Sequence, residues 1–238
     1  MIVERKRGKK RRAKVTRRSR PPISGWLVVV GGQCRKVGKT ALVVDLIKGF
    51  PECQWTAIKI TPYVESGCPV KGVRCKCGPR EHTFAIRYER GRRRRTDTSR
   101  FLAAGADRAI WVETKAGRLK ESLPALASAI GEAENVIVES NAILRYWQAD
   151  LSFLVVDPQN VEFKNSAREV QRLADAFVFR SPCLRGADLK SSRIPNSGRP
   201  VFLQPLGEDI PADMQEFVRQ RFLEIGHLKA RKSGRIFS

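Results

Sequence analysis

The chain has 238 residues, which is enough for one domain with a single core, and its hydrophobic content of 42% is that of an ordinary globular protein. No segment approaches the roughly 20 apolar residues of a membrane span, and the basic N-terminus lacks the apolar stretch of a secretory signal. These features argue against a membrane or secreted protein. We therefore expect a cytoplasmic protein whose six cysteines are thiols or metal ligands rather than disulfides.

The formal net charge of +22 is concentrated at the N-terminus, where eleven of the first twenty residues are Lys or Arg and one is Glu. We expect residues 1–22 to form a disordered basic arm in front of a domain of residues 23–238. Its charge predicts nonspecific contact of residues 1–20 with nucleic acid, although no aromatic residues are present there to stack on bases. A solvated tail and an over-extended gene start are the alternatives.

A phosphate-binding loop is predicted at residues 32–40, which read Gly-Gln-Cys-Arg-Lys-Val-Gly-Lys-Thr. The loop follows an apolar strand predicted at 26–31 and precedes a helix predicted at 40–49. Gln33 stands where the usual spacing has glycine, so the loop is one residue longer than standard. The alternative is a glycine-capped turn with a chance Gly-Lys-Thr. The candidate nucleotide-binding residues are Gly32, Arg35, Lys36, Val37, Gly38, Lys39, Thr40, Ala41 and Lys59.

Each part of this loop has a predicted task. Gly38 lets the backbone approach a phosphate, and the free N–H groups of the following helix attract an anion. Lys39 can reach the β- and γ-phosphates, while the Thr40 hydroxyl can ligate Mg²⁺.

The remaining chain alternates between strand and helix patterns. Strands are predicted at 55–60, 83–88, 109–112, 135–139, 151–157, 176–179 and 201–204, and helices at 98–104, 119–130, 166–173 and 212–225. This order predicts an α/β fold, with a mostly parallel sheet flanked by helices. Because ligands of such sheets bind at the carboxyl ends of strands, Lys39, Lys59, Glu139 and Asp157 are expected to collect there.

Residues 61–95 are predicted to be an insertion rich in cysteine and arginine. Three thiols and one imidazole within it, from Cys68, Cys75, Cys77 and His82, suit tetrahedral Zn²⁺ better than an iron–sulfur cluster. Free thiols in a loop are the alternative. Cys34, inside the phosphate-binding loop, is expected to be an exposed thiol.

Several segments between about 25 and 180 resemble known families. The glycine spacing of the 32–40 loop is that of dethiobiotin synthetase-type P-loops, and Lys59 looks like the strand-end lysine that faces the phosphates in that superfamily. Residues 96–106 are similar to the Asp-Ser…Ala-Gly-Ala segment of the molybdopterin-guanine dinucleotide biosynthesis protein B family. Residues 136–141 resemble that family's strand ending in Glu-Gly, except that Ser140 replaces the glycine. Arg180 stands where some relatives place an asparagine.

The resemblance implies a P-loop NTPase that uses Mg²⁺ and either GTP or ATP. One implied role is a GTP-binding accessory protein of molybdenum-cofactor maturation that works with a partner protein. An ATP-dependent ligase of dethiobiotin synthetase type is the alternative. A nucleic-acid-binding protein with a regulatory nucleotide site, and a metal-delivery GTPase, are further alternatives.

The candidate catalytic residues are Lys39, Asp97 and Glu139, and the candidate Mg²⁺ ligands are Thr40, Glu139 and Asp97. Asp97 can equally act as a helix N-cap, and Glu139 as an ordinary strand-end carboxylate. No further general base stands out. Hydrolysis is therefore expected to be slow unless a partner protein or a homodimer completes the site.

Overall fold

The computed structural model describes residues 18–63, 83–93, 95–160, 162–180 and 198–232, with side chains described up to residue 226. The strands are β1 Leu27–Gly32, β2 Trp55–Tyr63, β3 Phe84–Tyr88, β4 Arg108–Lys115, β5 Asn135–Glu139, β6 Leu151–Val156, β7 Ala176–Phe179 and β8 Val201–Leu203. The helices are α1 Lys39–Gly49, α2 Asp97–Ala104, α3 Leu119–Ile130, α4 Asn165–Val170 and α5 Ala212–Lys232.

The eight strands form one sheet in the order β3-β4-β2-β5-β1-β6-β7-β8. Every neighbouring pair is parallel except β3 and β4, which are antiparallel. The predicted α/β class with a mostly parallel sheet is confirmed. Since β1 pairs with β5 on one side and β6 on the other, the carboxyl ends of these three strands meet at one edge.

The sheet has a hydrophobic core on each face, because successive side chains of a strand point to opposite sides. Val28 and Val30 pack in the core on one face, and Leu27 and Val29 pack in the core on the other. All four are buried, which is why β1 is a continuous apolar run rather than an alternating one. A strand buried on both faces gives the loop at its end a rigid base.

Most boundaries lie within a few residues of those predicted, with three informative differences. The strand β2 continues to Tyr63, three residues into the segment predicted as an insertion. The N-cap of α2 is Thr96, whose side chain accepts a hydrogen bond from the Ser99 backbone N–H, so the predicted capping role of Asp97 is wrong. The final helix α5 extends to Lys232, seven residues beyond its predicted end at 225.

Residues 18–22 of the predicted basic arm lie against the domain. The Ser19 backbone pairs with the backbone around Trp147, and the Arg20 guanidinium forms an ion pair with Asp150. Residues 1–17 lie outside the described residues, so the expected disorder of the arm stays a prediction. In the part of the chain that the structure describes, no helix combines the length and apolarity needed to cross a membrane.

Candidate functional site

The predicted phosphate-binding loop connects the end of the central strand β1 to the first residue of α1. Gly38 is the N-cap of α1 and has φ 99° and ψ 14°, a left-handed conformation that favours glycine. The first turn of α1 contains no acidic residue. Its free N–H groups and the helix dipole therefore leave a positive end that can receive an anion.

The Lys39 side chain lies folded across the loop. Its Nζ donates a hydrogen bond to the Cys34 carbonyl oxygen at 3.0 Å. A Cβ atom at position 32 would lie 2.6 Å from Lys39 Cγ, so this path of the lysine requires glycine there. Burial lowers the pKa of the Lys39 ammonium, while the nearby Glu139 carboxylate acts in the opposite direction. An anionic ligand would remove the cost of keeping this cation buried.

Gln33, the residue that lengthens the loop, holds the loop to the neighbouring chain. Its backbone N–H extends the β1–β6 ladder by donating to the Val155 carbonyl at 2.9 Å. Its side-chain oxygen accepts from the Asp157 N–H at 2.9 Å, and its Nε2 donates to the Asn160 carbonyl at 2.6 Å. Gln33 is buried and fully engaged. The additional residue therefore acts as a support for the loop, which the spacing alone could not indicate.

Asn141 supports the same loop from the end of β5. Its Oδ1 accepts from the Gly32 N–H at 2.7 Å, and its Nδ2 donates to the Gly32 carbonyl at 3.0 Å. A Cβ at Gly31 would stand 2.7 Å from the same Oδ1, which explains the pair of glycines at the end of β1. Sequence reasoning missed this role, although Asn141 follows closely after a predicted strand-end acid.

Thr40, Lys59, Asp97 and Glu139, all predicted site residues, are brought together beside the start of α1. Glu139 Oε2 accepts a hydrogen bond from Thr40 Oγ1 at 2.7 Å, and Glu139 Oε1 forms an ion pair with the Lys59 ammonium. Lys59 Nζ also lies 2.9 Å from Asp97 Oδ2 and 3.4 Å from Thr40 Oγ1. We call these four residues the Lys59 cluster.

The oxygens of the Lys59 cluster fit a magnesium ion. Two carboxylates and a hydroxyl are the hard oxygen donors that Mg²⁺ prefers. A cation, the Lys59 ammonium, already stands among them. The contacts of the Lys59 ammonium indicate that the oxygens of Thr40, Asp97 and Glu139 together favour a positive charge between them.

A second buried cluster, which the sequence did not predict, lies below the loop. Arg180, at the end of β7, donates to Asp45 Oδ2 at 3.3 Å and to the Gly38 carbonyl at 3.4 Å. Gln204 donates to the same Asp45 oxygen at 2.9 Å. Burial raises the pKa of Asp45 and lowers that of Arg180, and in each case the opposite charge of the partner acts against the shift. We call Asp45, Arg180 and Gln204 the Arg180 cluster.

The other loop residues differ in exposure. Arg35 and Lys36 are exposed, and Lys36 has φ 60°. Val37 is buried, and Ala41 lies partly buried in the first turn of α1. The side chains of Arg35 and Lys36 are therefore accessible to a ligand, whereas Val37 packs in the core and holds the loop to it.

Cys34 and Asp157 both make local hydrogen bonds near the loop. Cys34 is buried rather than exposed, and its Sγ accepts a hydrogen bond from Asn160 Nδ2 at 3.4 Å, so the predicted exposed thiol is wrong. Burial raises its pKa, which disfavours the reactive thiolate. The Asp157 carboxylate accepts from the Gln159 N–H at 3.0 Å, which is the geometry of a turn-forming aspartate.

The predicted Zn²⁺ ligands Cys68, Cys75, Cys77 and His82 lie outside the described residues. The ends of that segment are placed, however. The Tyr63 carbonyl accepts from Ala116 N–H at 3.1 Å, and the Thr83 carbonyl accepts from Lys115 N–H at 2.8 Å. Both ends are therefore bonded to the carboxyl end of β4, the strand that lies between β3 and β2.

A parallel sheet whose central strand runs into a glycine-bounded Gly-Lys-Thr loop and a helix defines the α/β fold of P-loop NTPases. Among solved structures, the chain is similar to HypB from Helicobacter pylori in complex with nickel, with TM-score 0.50 and 14% sequence identity over 84% of this chain and 89% of that chain. A Zn(II)-bound triple mutant of the YjiA GTPase gives TM-score 0.41 and 13% identity over 81% of this chain and 61% of that one.

These structural similarities concern the fold. No protein-family model matches the chain, and no curated protein matches it by sequence.

Proposed function

We propose that the chain binds a nucleoside triphosphate together with Mg²⁺ at residues 32–40 and hydrolyses it slowly. The observation that carries this proposal is the half-buried Lys39 ammonium at the positive end of α1, which donates a hydrogen bond to the Cys34 carbonyl. A phosphate oxygen could accept from the same ammonium. Thr40 and Glu139 would hold the metal, which neutralises charge on the triphosphate when bound. Asp97 would contribute from the start of α2.

Phosphoryl transfer needs two things above all from a protein: the reacting groups must be positioned, and the negative charge of the phosphates must be neutralised. The loop is fixed by Gln33 and Asn141, so its N–H groups are held in place before a ligand arrives. Lys39 and Lys59 supply two positive charges that lie close enough to repel each other. We expect slow turnover, because no further general base stands out in the sequence.

The test is equilibrium binding of fluorescent GTP and ATP analogues, with Mg²⁺, to the wild type and to Lys39→Ala. A lost charge-assisted contact of about 1.5–3 kcal/mol predicts an affinity roughly ten- to a hundredfold weaker. Lys48→Ala is the matched control, because Lys48 is an exposed lysine in the last turn of the same helix. Equal binding by wild type and Lys39→Ala would contradict the proposal.

The nucleotide that the protein prefers, GTP or ATP, distinguishes two candidate roles in cofactor metabolism. Preference for GTP, with retention of a partner protein, supports the accessory role in molybdenum-cofactor maturation that the sequence resemblance implies. Preference for ATP, with turnover of a small carboxylated or amine substrate, supports a ligase of dethiobiotin synthetase type. The fold is compatible with both, because they share the same phosphate-binding loop.

A metal-handling NTPase is a second candidate, favoured by the four soft or borderline ligands of residues 68–82. Both ends of this segment are bonded to the carboxyl end of β4, which is the neighbour of the strand that carries Lys59, and the structurally similar HypB was solved in complex with nickel. Titration with Zn²⁺ and Ni²⁺ of the wild type and a Cys75→Ser/Cys77→Ser variant tests it, with Cys53→Ala as the control. Metal released upon hydrolysis supports delivery, whereas metal removed only by unfolding argues for a structural site.

A further inference from the structure

The Lys59 ammonium lies in the position that a metal ion would take. It forms an ion pair with Glu139 Oε1, and it stands 2.9 Å from Asp97 Oδ2 and 3.4 Å from Thr40 Oγ1. These are the oxygens of all three residues that we assign to Mg²⁺. Lys59 therefore contacts all three residues assigned to Mg²⁺, in addition to any contact that it could make with a phosphate.

Glu139 depends on this cation. Its side chain is 2% exposed, so its negative charge is almost completely removed from water. A buried carboxylate requires a compensating positive charge, and the ion pair with Lys59 provides one. Without nucleotide, a divalent ion could reach Glu139 only by displacing the ammonium or by tolerating its repulsion.

Lys59 is also able to leave. Its side chain is 18% exposed, and one of its partners, Asp97, is 40% exposed at the start of α2. The ammonium sits on a flexible four-carbon stem with no fixed planar geometry, so it can exchange one set of oxygens for another. A triphosphate bound at the adjacent loop would offer such a set.

We propose that Lys59 is a built-in counter-ion that occupies the magnesium ligands in the nucleotide-free protein, so that a divalent cation and a nucleoside triphosphate enter together. The inference rests on the proposed function and adds a regulation of the same site. The bound triphosphate gives the ammonium new partners, and Thr40, Glu139 and Asp97 become accessible to the metal. Each ligand thereby favours binding of the other, which is a reciprocal coupling.

The direct test is Mn²⁺ binding measured by electron paramagnetic resonance, without nucleotide. Lys59→Met should bind Mn²⁺ at least about tenfold more tightly than the wild type, because the metal then supplies the missing charge beside Glu139. Lys59→Arg keeps the charge and should stay as weak as the wild type. Lys48→Met, at an exposed position of α1, controls for a change in net charge. Equal Mn²⁺ affinity of Lys59→Met and wild type would overturn the proposal.

Thermal unfolding gives a second readout. Lys59→Met should unfold at a lower temperature than the wild type in chelator, and Mg²⁺ alone should restore much of the loss. The double variant Lys59→Met/Glu139→Gln should lose this response, because it has no buried charge to compensate. If Lys59→Met does not fold, Lys59→Gln takes its place. A wild type that binds nucleotide, yet binds Mn²⁺ equally well with and without it, would also overturn the proposal, whatever the variants do.

The two proposals fail in different ways. If the wild type binds neither GTP nor ATP analogues but Lys59→Met still gains Mn²⁺ affinity, the counter-ion role stands and the proposed function falls. If nucleotide binds through Lys39 while Lys59→Met gains nothing, the proposed function stands and the counter-ion role falls.

Discussion

The Lys59 cluster and the Arg180 cluster both pair a carboxylate with a cation beside α1, yet they are built differently. In the first, a lysine shares three oxygens, one of them on the half-exposed Asp97. In the second, the Arg180 side chain is 2% exposed and contacts both Asp45 and the Gly38 carbonyl. A Cβ at Gly38 would stand 3.2 Å from Arg180 Cδ, so the arginine is packed directly against the loop.

This difference separates an exchangeable cation from a permanent one. A flexible, partly exposed ammonium can be replaced by another cation, whereas a guanidinium enclosed by protein cannot leave without breaking the packing. Arg180 Nε and Gln204 Oε1 are buried without a hydrogen-bond partner among the described residues. The Arg180 cluster thus leaves two polar atoms unsatisfied, but it fixes the end of β7 to the loop and the end of β8 to α1.

The largest effect is expected for Arg180→Met. The change leaves the Asp45 carboxylate without its buried partner, and breaking such a pair by removing one side costs about 3–5 kcal/mol. Urea unfolding should show this loss, and Mg²⁺ should not recover it, in contrast to Lys59→Met.

The control for this prediction is the double variant Arg180→Met/Asp45→Asn, which should be more stable than Arg180→Met because no buried charge is left unpaired. Gln204 can still donate to the amide oxygen at position 45. If Arg180→Met lowers the free energy of unfolding by no more than a surface change does, about 0.5 kcal/mol, the Arg180 cluster does not hold the loop permanently.

Gly32→Ala tests the loop that lies between the two clusters. The new Cβ would meet Lys39 Cγ at 2.6 Å and Val37 Cγ1 at 2.7 Å, so the lysine must be displaced. Overpacking of this kind costs about 1–3 kcal/mol, and we expect nucleotide affinity to fall along with stability. Fluorescent-analogue binding and urea unfolding measure the two losses.

Gly226→Ala is the matched control, because a Cβ there would be 3.6 Å from the Trp26 ring, an ordinary contact, in the interior of α5. Alanine is the better helix former by about 1 kcal/mol, so this variant should be as stable as the wild type or more so. A Gly32→Ala protein that binds nucleotide normally would show that the path of Lys39 is not required.

The smallest effect concerns the start of α2. Thr96→Ala removes a capping box in which the Ser99 N–H is bonded at 3.0 Å, and should cost about 1 kcal/mol. Asp97→Asn removes a half-exposed carboxylate charge that pairs with Lys59 and, at 3.7 Å, with Arg100, so a loss nearer to about 0.3 kcal/mol is expected. Paired urea unfolding curves compare them. A larger loss for Asp97→Asn would mean that the Lys59 cluster is held more firmly than an exchangeable cation allows.

Sequence patterns predicted the helices and strands well where the apolar residues form a clear pattern along the chain. The bounds of α3, β5 and β7 were predicted to the residue, since α3 has a clear helical periodicity and the two strands are short apolar runs. The cap of α2 was placed one residue late, because both Thr96 and Asp97 are good capping residues and only the backbone geometry distinguishes them.

The sequence predicted the residues that would contact nucleotide and metal, but not the residues that hold the phosphate-binding loop in place. Lys39, Thr40, Lys59, Asp97 and Glu139 could be named because each residue type at a strand end or loop has a recognised chemistry. Gln33 and Arg180 each appeared only as a departure from an expected spacing or family residue, and Asn141 only as the last residue of the 136–141 resemblance. The structure shows that Gln33 holds the loop to the chain around Asp157 and that Asn141 and Arg180 contact the loop.

The sequence by itself determined the alternation of strands and helices and the loop chemistry, because both depend on residues close together along the chain. Only the tertiary structure decided which cation accompanies which carboxylate. Lys59 and Glu139 are 80 residues apart, and Arg180 and Asp45 are 135 apart, so their pairing depends on strand order. Burial then distinguishes the two pairs, because water reaches Lys59 and is excluded from Arg180.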